Sequence, residues 1–430
     1  MIWNPAMEQA DRKTIEAIQL ERLQKTVADV YERVPFYRQT LDRVGLKPED
    51  IRSLDDLQRI PFTTKQDLRD HYPYGMMAVP MKEVVRIHAS SGTTGTATVV
   101  PYTREDLDEW SECIARLVCM AGGSDEDIAQ VSFGYGMFTG ALGLHYGLEK
   151  VGAAVIPISS GNTKRQLQLL QDFGTTLLIS TPSYALYMSD VAQEMGIDLT
   201  KLPVRIGLFG GEGHTEEMRR ELERRWGMLV TENYGLSEVQ GPGVSGECVE
   251  KDGMHIAEDH FIVEIIDPET GQVLPEGEEG EVVITTICRH AQPLLRYRTR
   301  DISRITYAPC KCGRTSARMD KIKGRSDDML VIRGVNVFPS QIERVLLSTP
   351  GVGPSYEIVV TRESFMDRVE VLVEVADAGL LERYQELEAL SRRIRTALRE
   401  EILIDVKVTL VNPMTLKRFE GKAKRVRDLR

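Results

Sequence analysis

Between residues 151 and 231 short apolar runs alternate with longer amphipathic ones, and a glycine closes each amphipathic run. No other feature restricts the fold of this chain as much. The apolar runs 151–158, 175–180, 204–209 and 229–231 read as buried strands. The segments 163–173, 184–195 and 215–226 carry helical spacing and stop at Gly174, Gly196 and Gly227. Strand, helix, strand at this pitch requires right-handed crossovers and a parallel sheet. Such sheets take their ligands at the carboxyl ends of the strands.

The flanking regions differ in texture. Residues 14–34 form an amphipathic helix ending before Pro35, and Thr64 can cap a second one. After residue 240, short β-like runs at 260–266, 280–286 and 302–306 are separated by turn signals, an antiparallel subdomain over about 241–323. From near residue 325, a helix at 339–347, strands at 357–361 and 369–375, a helix at 380–402 and a strand at 406–411 make a small α+β domain. The expected fold class is α/β: a large N-terminal domain, 1–325, with a mostly parallel sheet and a β-rich subdomain, and a small α+β C-terminal domain, 326–430.

Charge excludes some partners. Asp plus Glu number 65 against 54 Lys plus Arg, a net charge of −11, which repels nucleic acid and anionic membranes. No apolar run approaches the ~20 residues that span a bilayer, and residues 1–13 lack the apolar region of a signal peptide. Six cysteines in 430 residues are too few for a disulfide framework, so a cytoplasmic, reduced protein is expected, in which clustered cysteines read as metal ligands.

Five segments carry residues suited to phosphate chemistry. In Ser90-Ser91-Gly92-Thr93-Thr94-Gly95-Thr96-Ala97-Thr98, glycines let backbone N–H groups converge on an anion and hydroxyls add donors; a flexible polar turn is the alternative. In Tyr234-Gly235-Leu236-Ser237-Glu238, a carboxylate after the last parallel strand is placed to hold Mg²⁺, unless it is a surface Glu in a turn. In Tyr297-Arg298-Thr299-Arg300-Asp301, the Asp suits two ribose hydroxyls and the arginines suit phosphate; an Asp–Arg surface network is the alternative. Gly324-Arg325-Ser326-Asp327-Asp328 reads as a hinge or as a polar linker. Glu420-Gly421-Lys422-Ala423-Lys424 reads as a lysine delivered by a moving domain or as a solvated basic tail.

A metal site is also legible. Cys310-Lys311-Cys312-Gly313 is a paired-thiolate knuckle, and Cys248 and His255 lie in another turn-rich stretch. Three thiolates and one imidazole satisfy a tetrahedral structural Zn²⁺; two exposed free thiols on a loop are the alternative. Cys113, Cys119 and Cys288 sit in apolar contexts and read as core.

The five segments in this order resemble the adenylate-forming superfamily. The strings SSGTTG at 90–95, FGYGMFTG at 133–140, MHIAEDHF at 254–261, RYRTRD at 296–301 and DMLVIRGVNVFPSQIE at 328–343 resemble its phenylacetate–CoA ligase family along nearly the whole chain. The resemblance implies ATP-dependent activation of an aryl acid, phenylacetate first, to an acyl-adenylate, with transfer to coenzyme A and release of AMP and diphosphate, a place in phenylacetate catabolism, and a homodimer. It implies that Ser90, Ser91, Gly92, Thr93, Thr94 and Gly95 cradle the ATP phosphates, that Gly211, Glu212, Tyr234 and Gly235 line the nucleotide, and that Asp301 binds the ribose with Arg325 nearby. Glu238 would hold Mg²⁺, Asp327 would be the hinge of a mobile C-terminal domain, and Lys422 would reach the α-phosphate. Tyr135, Gly136, Phe138, Thr139, Ala141 and Gly147 would form the acid pocket. One position departs from the pattern: Thr96 stands where the family's loop carries a lysine. Two competing readings are an adenylyl-transferring ligase acting on another acid or a deazaflavin cofactor, and a non-catalytic nucleotide sensor.

Overall fold

The computed structural model describes residues 1–90, 97–326, 330–332, 335–363, 366–419 and 423–430. Ser91, Gly92, Thr93, Thr94, Gly95, Asp327 and Lys422 lie outside the described residues. The chain forms two compact units. The first comprises Met1–Ser180, Leu202–Gly211 and Leu229–Lys321, and the second Thr181–Lys201, Glu212–Met228 and Ile322–Arg430.

Through the middle of the chain run α1 (Arg104–Met120), β1 (Ile128–Val131), α2 (Thr139–Val151), β2 (Ala154–Ile156), α3 (Thr163–Asp172), β3 (Leu177–Ser180), α4 (Pro182–Glu194), β4 (Ile206–Phe209), α5 (Glu216–Trp226) and β5 (Leu229–Leu236). The alternation read from the sequence is present, with strand starts shifted by a few residues. β2 begins at Ala154 because α2 runs on through Val151 and ends on left-handed Gly152. β5 is longer than the run 229–231, since its second half pairs with a strand the apolar pattern does not show.

In the first unit, β2, β1, β3, β4 and β5 are neighbours in that order and all parallel. β6 (Gly241–Glu247) pairs antiparallel with β5, and β7 (Met254–Ile256) pairs antiparallel with β6, extending the same sheet. β8 (Phe261–Ile266), β9 (Gly280–Thr286) and β10 (Tyr297–Ser303) form a second, antiparallel sheet. The β-rich stretch therefore divides between the main sheet and one of its own.

The core of this unit joins Ile114, Leu117 and Val118 of α1, Leu144 and Leu148 of α2, and Val131, Ile179 and Leu208 of the strands. Each such side chain contributes about 1.5–3 kcal/mol by leaving water. α1 starts in a capping box, with Thr103 Oγ1 accepting from Asp106 N (3.1 Å) and Asp106 Oδ2 from Thr103 N (2.8 Å). Asp106 also accepts from the backbone of His290 (2.7 Å) and Ala291 (3.0 Å). Burial pushes its carboxyl up, but the Arg289 guanidinium and these N–H groups outweigh it and hold the pKa below the usual range.

α2 is the element that the sequence hides. Its glycines cost about 1 kcal/mol each in helix propensity, and the stretch reads as a Gly/aromatic loop. Packing reverses that preference: a Cβ on Gly147 would lie 2.1 Å from Ile114 Cγ2, so the absence of a side chain lets α1 and α2 touch. Among the described residues no helix is long and apolar enough to cross a membrane.

In the second unit, α6 (Pro339–Ser348), β11 (Val352–Glu363), β12 (Met366–Val375), α7 (Tyr384–Ile402), β13 (Lys407–Val411) and β14 (Val426–Asp428) form a four-stranded sheet in the order β13, β12, β11, β14 with helices. β11 and β12 are a long hairpin, and β13 and β14 pair parallel at its edges. Ile342, Leu346, Ile358, Val371, Ile394 and Leu398 are its buried centre. Contact also places α4 and α5 here, helices that the sequence groups with the large domain. Trp226 Nε1 donates to Ala185 O (3.1 Å) and Arg225 pairs with Asp190 (2.6 Å), so the two helices move as one piece.

The α1–α2 contact gives a direct test. Gly147→Ala is expected to lower stability by about 1–3 kcal/mol through overpacking against Ile114, read as a fall in melting temperature. Gly140→Ala, where an added Cβ meets nothing within 4 Å, is expected to raise stability by up to about 1 kcal/mol through helix propensity.

Candidate functional site

Glu238 sits in the turn between β5 and β6, and the turn is held from outside itself. Tyr102 OH donates to Gln240 O (2.6 Å), Trp110 Nε1 donates to Pro242 O (2.9 Å), and the hydroxyls of Thr139 and Ser237 share a bond (3.0 Å). Tyr102 and Trp110 are stacked at 5.1 Å with their planes 14° apart. Gly241 has φ +122°, and a Cβ there would meet Trp110 Cζ2 at 2.4 Å, so only glycine lets the turn close on the indole. The result is a carboxylate only 6% exposed at the end of the parallel strands.

Opposite it stands a residue that sequence reasoning missed. Lys65 Nζ lies 3.0 Å from Glu238 Oε1. Lys65 opens the short helix Lys65–Asp70, capped by Thr64 as expected. The residue before the cap is tied to β10, with Thr63 N donating to Arg296 O (3.1 Å) and Arg298 N to Thr63 O (2.9 Å). A lone lysine after a cap carries no signal in sequence, because its partner is supplied by a distant strand turn.

Tyr234 and Asp301 meet directly: the phenol donates to Asp301 Oδ2 at 2.6 Å. Tyr234 lies inside β5, not after it, and Gly235 stands where the β5–β6 register shifts. The arginines of the same motif are paired with carboxylates. Arg296 forms a two-bond pair with Glu264 (3.0 and 3.0 Å) and Arg298 one with Glu281 (3.0 and 2.6 Å). Arg300 also faces Glu281, at 3.5 Å. The arginines pair with glutamates rather than in an Asp–Arg surface network, whereas Asp301 points to Tyr234.

The strands Arg86–Ala89 and Val99–Tyr102 form a hairpin. Ser90 N donates to Thr98 O (2.9 Å) and Thr98 N to Ser90 Oγ (3.1 Å), tying together the residues on either side of 91–96. Ala89 N donates to Met137 O (2.9 Å), which sets the end of the first strand beside the segment expected to form the acid pocket.

That segment divides. Tyr135 is half-buried, its OH 3.0 Å from His145 Nδ1, while Gly136 and Phe138 are exposed. Thr139 is buried against Ser237. Ala141 and Gly147 are packed in the α1–α2 core, so these two positions serve the helix contact rather than an open cavity. Gly211 ends the loop after β4, and Arg325 belongs to the second unit.

Within the second unit Glu212 has a definite place. Its Oε1 accepts from Ser183 N (2.8 Å) and its Oε2 from Ala423 N (2.7 Å). The carboxylate is thus used on backbone amides. Arg425 donates to Ser183 Oγ (3.1 Å), stacks over the Tyr356 ring at 4.5 Å and approaches Glu343 at 3.8 Å. Burial raises the pKa of Glu212, and the Arg425 charge with the N–H groups of Ser183 and Ala423 opposes the rise. Ala423 follows Lys422, so this buried cluster anchors the backbone one residue from the expected lysine.

The four candidate zinc ligands converge. Cys248 follows β6, His255 is in β7, and Cys310 and Cys312 lie in the turn beyond the strand Ile305–Thr306. Their ligand atoms all lie within 4.8 Å of one another. Burial, with the charges of Arg314 and Arg318, pushes His255 down to about 4, which leaves the neutral imidazole a metal needs. Glu109, His260 and Cys288 form a second group. There Arg22 already reaches Cys288 Sγ (2.8 Å), and His260 is held between Glu109 (2.8 Å) and Asp259 (3.1 Å), so it is an ion-pair network.

Removing one charge from the Glu212 cluster tests its role. Arg425→Met is expected to destabilise the chain by about 1–3 kcal/mol, because Glu212 and Glu343 lose their half-buried cation. Adding Glu343→Gln is expected to recover part of the loss in thermal melts.

Comparison with known proteins finds similarity along the whole chain. The AMP-binding enzyme family matches residues 41–288, and the AMP-binding enzyme C-terminal domain matches residues 334–430. The phenylacetate-coenzyme A ligase of Thermus thermophilus is 48% identical over 444 aligned residues, covering 100% of both chains. That of Escherichia coli is 46% identical over 99% of this chain and 97% of its own. Among solved structures, 2-hydroxyisobutyryl-CoA ligase in the postadenylation state with 2-HIB-AMP is similar at a TM-score of 0.94, with 29% identity over 99% of this chain and 92% of that one. The same enzyme with 2-HIB-AMP and CoA in the thioesterification state gives a TM-score of 0.73 at 29% identity, over 99% and 91%. Matched in both halves by family and at nearly half identity over its full length, the chain belongs to the AMP-binding enzymes and, among them, to the phenylacetate–coenzyme A ligase family.

Proposed function

We propose that the chain activates an aryl acid, phenylacetate first, with ATP and transfers the acyl group to coenzyme A. The observation that carries this reading is the 48% identity to a phenylacetate-coenzyme A ligase over 100% of both chains. The juxtaposition of Lys65, Glu238, Tyr234 and Asp301 supports it.

A carboxylate is a poor acyl donor, because its leaving group would be oxide. Its oxygen therefore attacks the α-phosphorus of ATP, the bond to pyrophosphate breaks, and a mixed anhydride forms. Coenzyme A thiolate then attacks the acyl carbon, and the bond to AMP breaks. Asp301, oriented by Tyr234, accepts from the ribose hydroxyls. A buried carboxylate suits a hard cation, so Glu238 would hold Mg²⁺, which offsets phosphate charge. Lys65 stands beside that carboxylate as a fixed cation where the loop carries Thr96 instead of lysine. The loop 90–95 cradles the phosphates, and Tyr135, Gly136 and Phe138 face the acid. Lys422, anchored through Ala423, reaches the α-phosphate during adenylation. The C-terminal fold then turns about Asp327 to withdraw it and admit the thiol. The Cys248, His255, Cys310 and Cys312 cluster is read as a structural Zn²⁺ site with no part in this chemistry.

Pyrophosphate release with a panel of aryl acids tests the first step, and thiol-dependent AMP release tests the second. Release of pyrophosphate with no dependence on coenzyme A would favour adenylyl transfer instead, and release with no acid would sink the ligase reading. Lys422→Ala is expected to abolish adenylation while sparing thioester formation from preformed acyl-adenylate; equal loss in both halves refutes that division of labour. Asp301→Ala is expected to raise KM for ATP about tenfold or more, the worth of hydrogen bonds to a charged group, with a smaller rise for Tyr234→Phe.

A further inference from the structure

We propose that the Cys248, His255, Cys310 and Cys312 cluster binds a zinc ion that clasps the N-terminal segment 1–10 to the first unit. This rests on the structural-zinc reading above and extends it to a mechanical role. A regular tetrahedron with Zn–S near 2.3 Å and Zn–N near 2.05 Å has S···S edges of about 3.8 Å and S···N edges of about 3.5 Å. The separations here are 3.7 Å for Cys248 Sγ to Cys310 Sγ and 3.4 Å for Cys312 Sγ to His255 Nε2. A disulfide would need sulfurs about 2.05 Å apart, so the thiols are spaced for an ion and not for a bridge. His255 Nδ1 faces Ser316 Oγ at 3.1 Å, which orients the ring so that Nε2 points at the sulfurs. All four donors come from the protein, which closes the coordination shell and marks a structural rather than a catalytic ion.

The clasp follows from what the knuckle holds. Residues 307–317 contain no helix or strand. Outside any helix or strand, they are held by hydrogen bonds to other segments and, in this proposal, by the ion. The residues directly after the second knuckle thiol grip the start of the chain. Thr315 N donates to Glu8 O (3.0 Å), Thr315 Oγ1 donates to Ala10 O (2.6 Å), and Gln9 Nε2 donates to Gly313 O (3.1 Å). Arg314 donates to Met1 O (2.8 Å) and forms an ion pair with Glu8, the two side chains only 3% and 4% exposed. The segment passes the restraint on to α1, where Trp3 (2.9 Å) and Asn4 (3.0 Å) donate to Glu112.

The test measures zinc in the purified full chain by elemental mass spectrometry, then follows amide exchange before and after removal of metal with a chelator. Expected are one equivalent of zinc per chain, its loss in Cys310→Ser and its retention in Cys312→His. Removal is expected to speed exchange at residues 1–10 by about tenfold or more while β3 and β4 stay protected. No uptake of added zinc by the reduced protein overturns the zinc reading itself. Zinc bound, but with exchange at residues 1–10 the same with and without it, overturns the clasp alone. If Cys310→Ser does not fold, the chelated unsubstituted chain decides the matter.

Discussion

The stack of Tyr102 on Trp110 sets the position of the candidate site. Both rings are buried, and each spends its polar edge on the backbone of the β5–β6 turn. The turn is short and would be loose by itself. Pinned at Gln240 and Pro242, with Gly241 flat against the indole, it presents Glu238 in one place. α1 carries Trp110 and is itself held by the capping box at Thr103 and by Asp106 gripping the backbone of His290 and Ala291. The position of one carboxylate is thereby inherited from helix capping, helix packing and ring stacking. Preorganisation of this kind lets charge stabilise a reaction without reorganising first.

The charged residues around it divide into two kinds. Arg296 with Glu264, Arg298 with Glu281, and Arg116 with Asp259 are buried pairs with two hydrogen bonds each, and they hold strands and helices together. Such pairs offset much of their own desolvation and are costly to break singly. Lys65 with Glu238 and Tyr234 with Asp301 are different, since each pair rests on a single contact: Lys65 with Glu238 in the β5–β6 turn, and Tyr234 within β5 with Asp301 within β10. The first kind makes a frame; the second kind includes the residues proposed above to receive a magnesium nucleotide. The second unit has its own buried charge cluster at Glu212 and Arg425, which fixes the backbone beside the expected lysine without touching the chemistry itself.

Much of the fold was legible because its signals are local. Period, glycine stops and caps are properties of a few neighbouring residues, and they led to the parallel strands, the helix capped by Thr64 and the small α+β fold. α2 was not legible, because its glycines argue against a helix until Trp110 and Ile114 are seen packed on them. The long hairpin β11–β12 was seen only in part, since polar residues at its ends interrupt the apolar run.

In the site, residue types alone determined which groups could bind phosphate, ribose or metal, and the convergence of Cys248, His255, Cys310 and Cys312 agrees with that reading. Pairing was decided only by the tertiary structure. It gave Glu212 to backbone amides, Arg298 to Glu281 and Lys65 to Glu238. The reason is physical: what a side chain can do is set by its own chemistry, but what it does depends on distances between elements far apart in the chain.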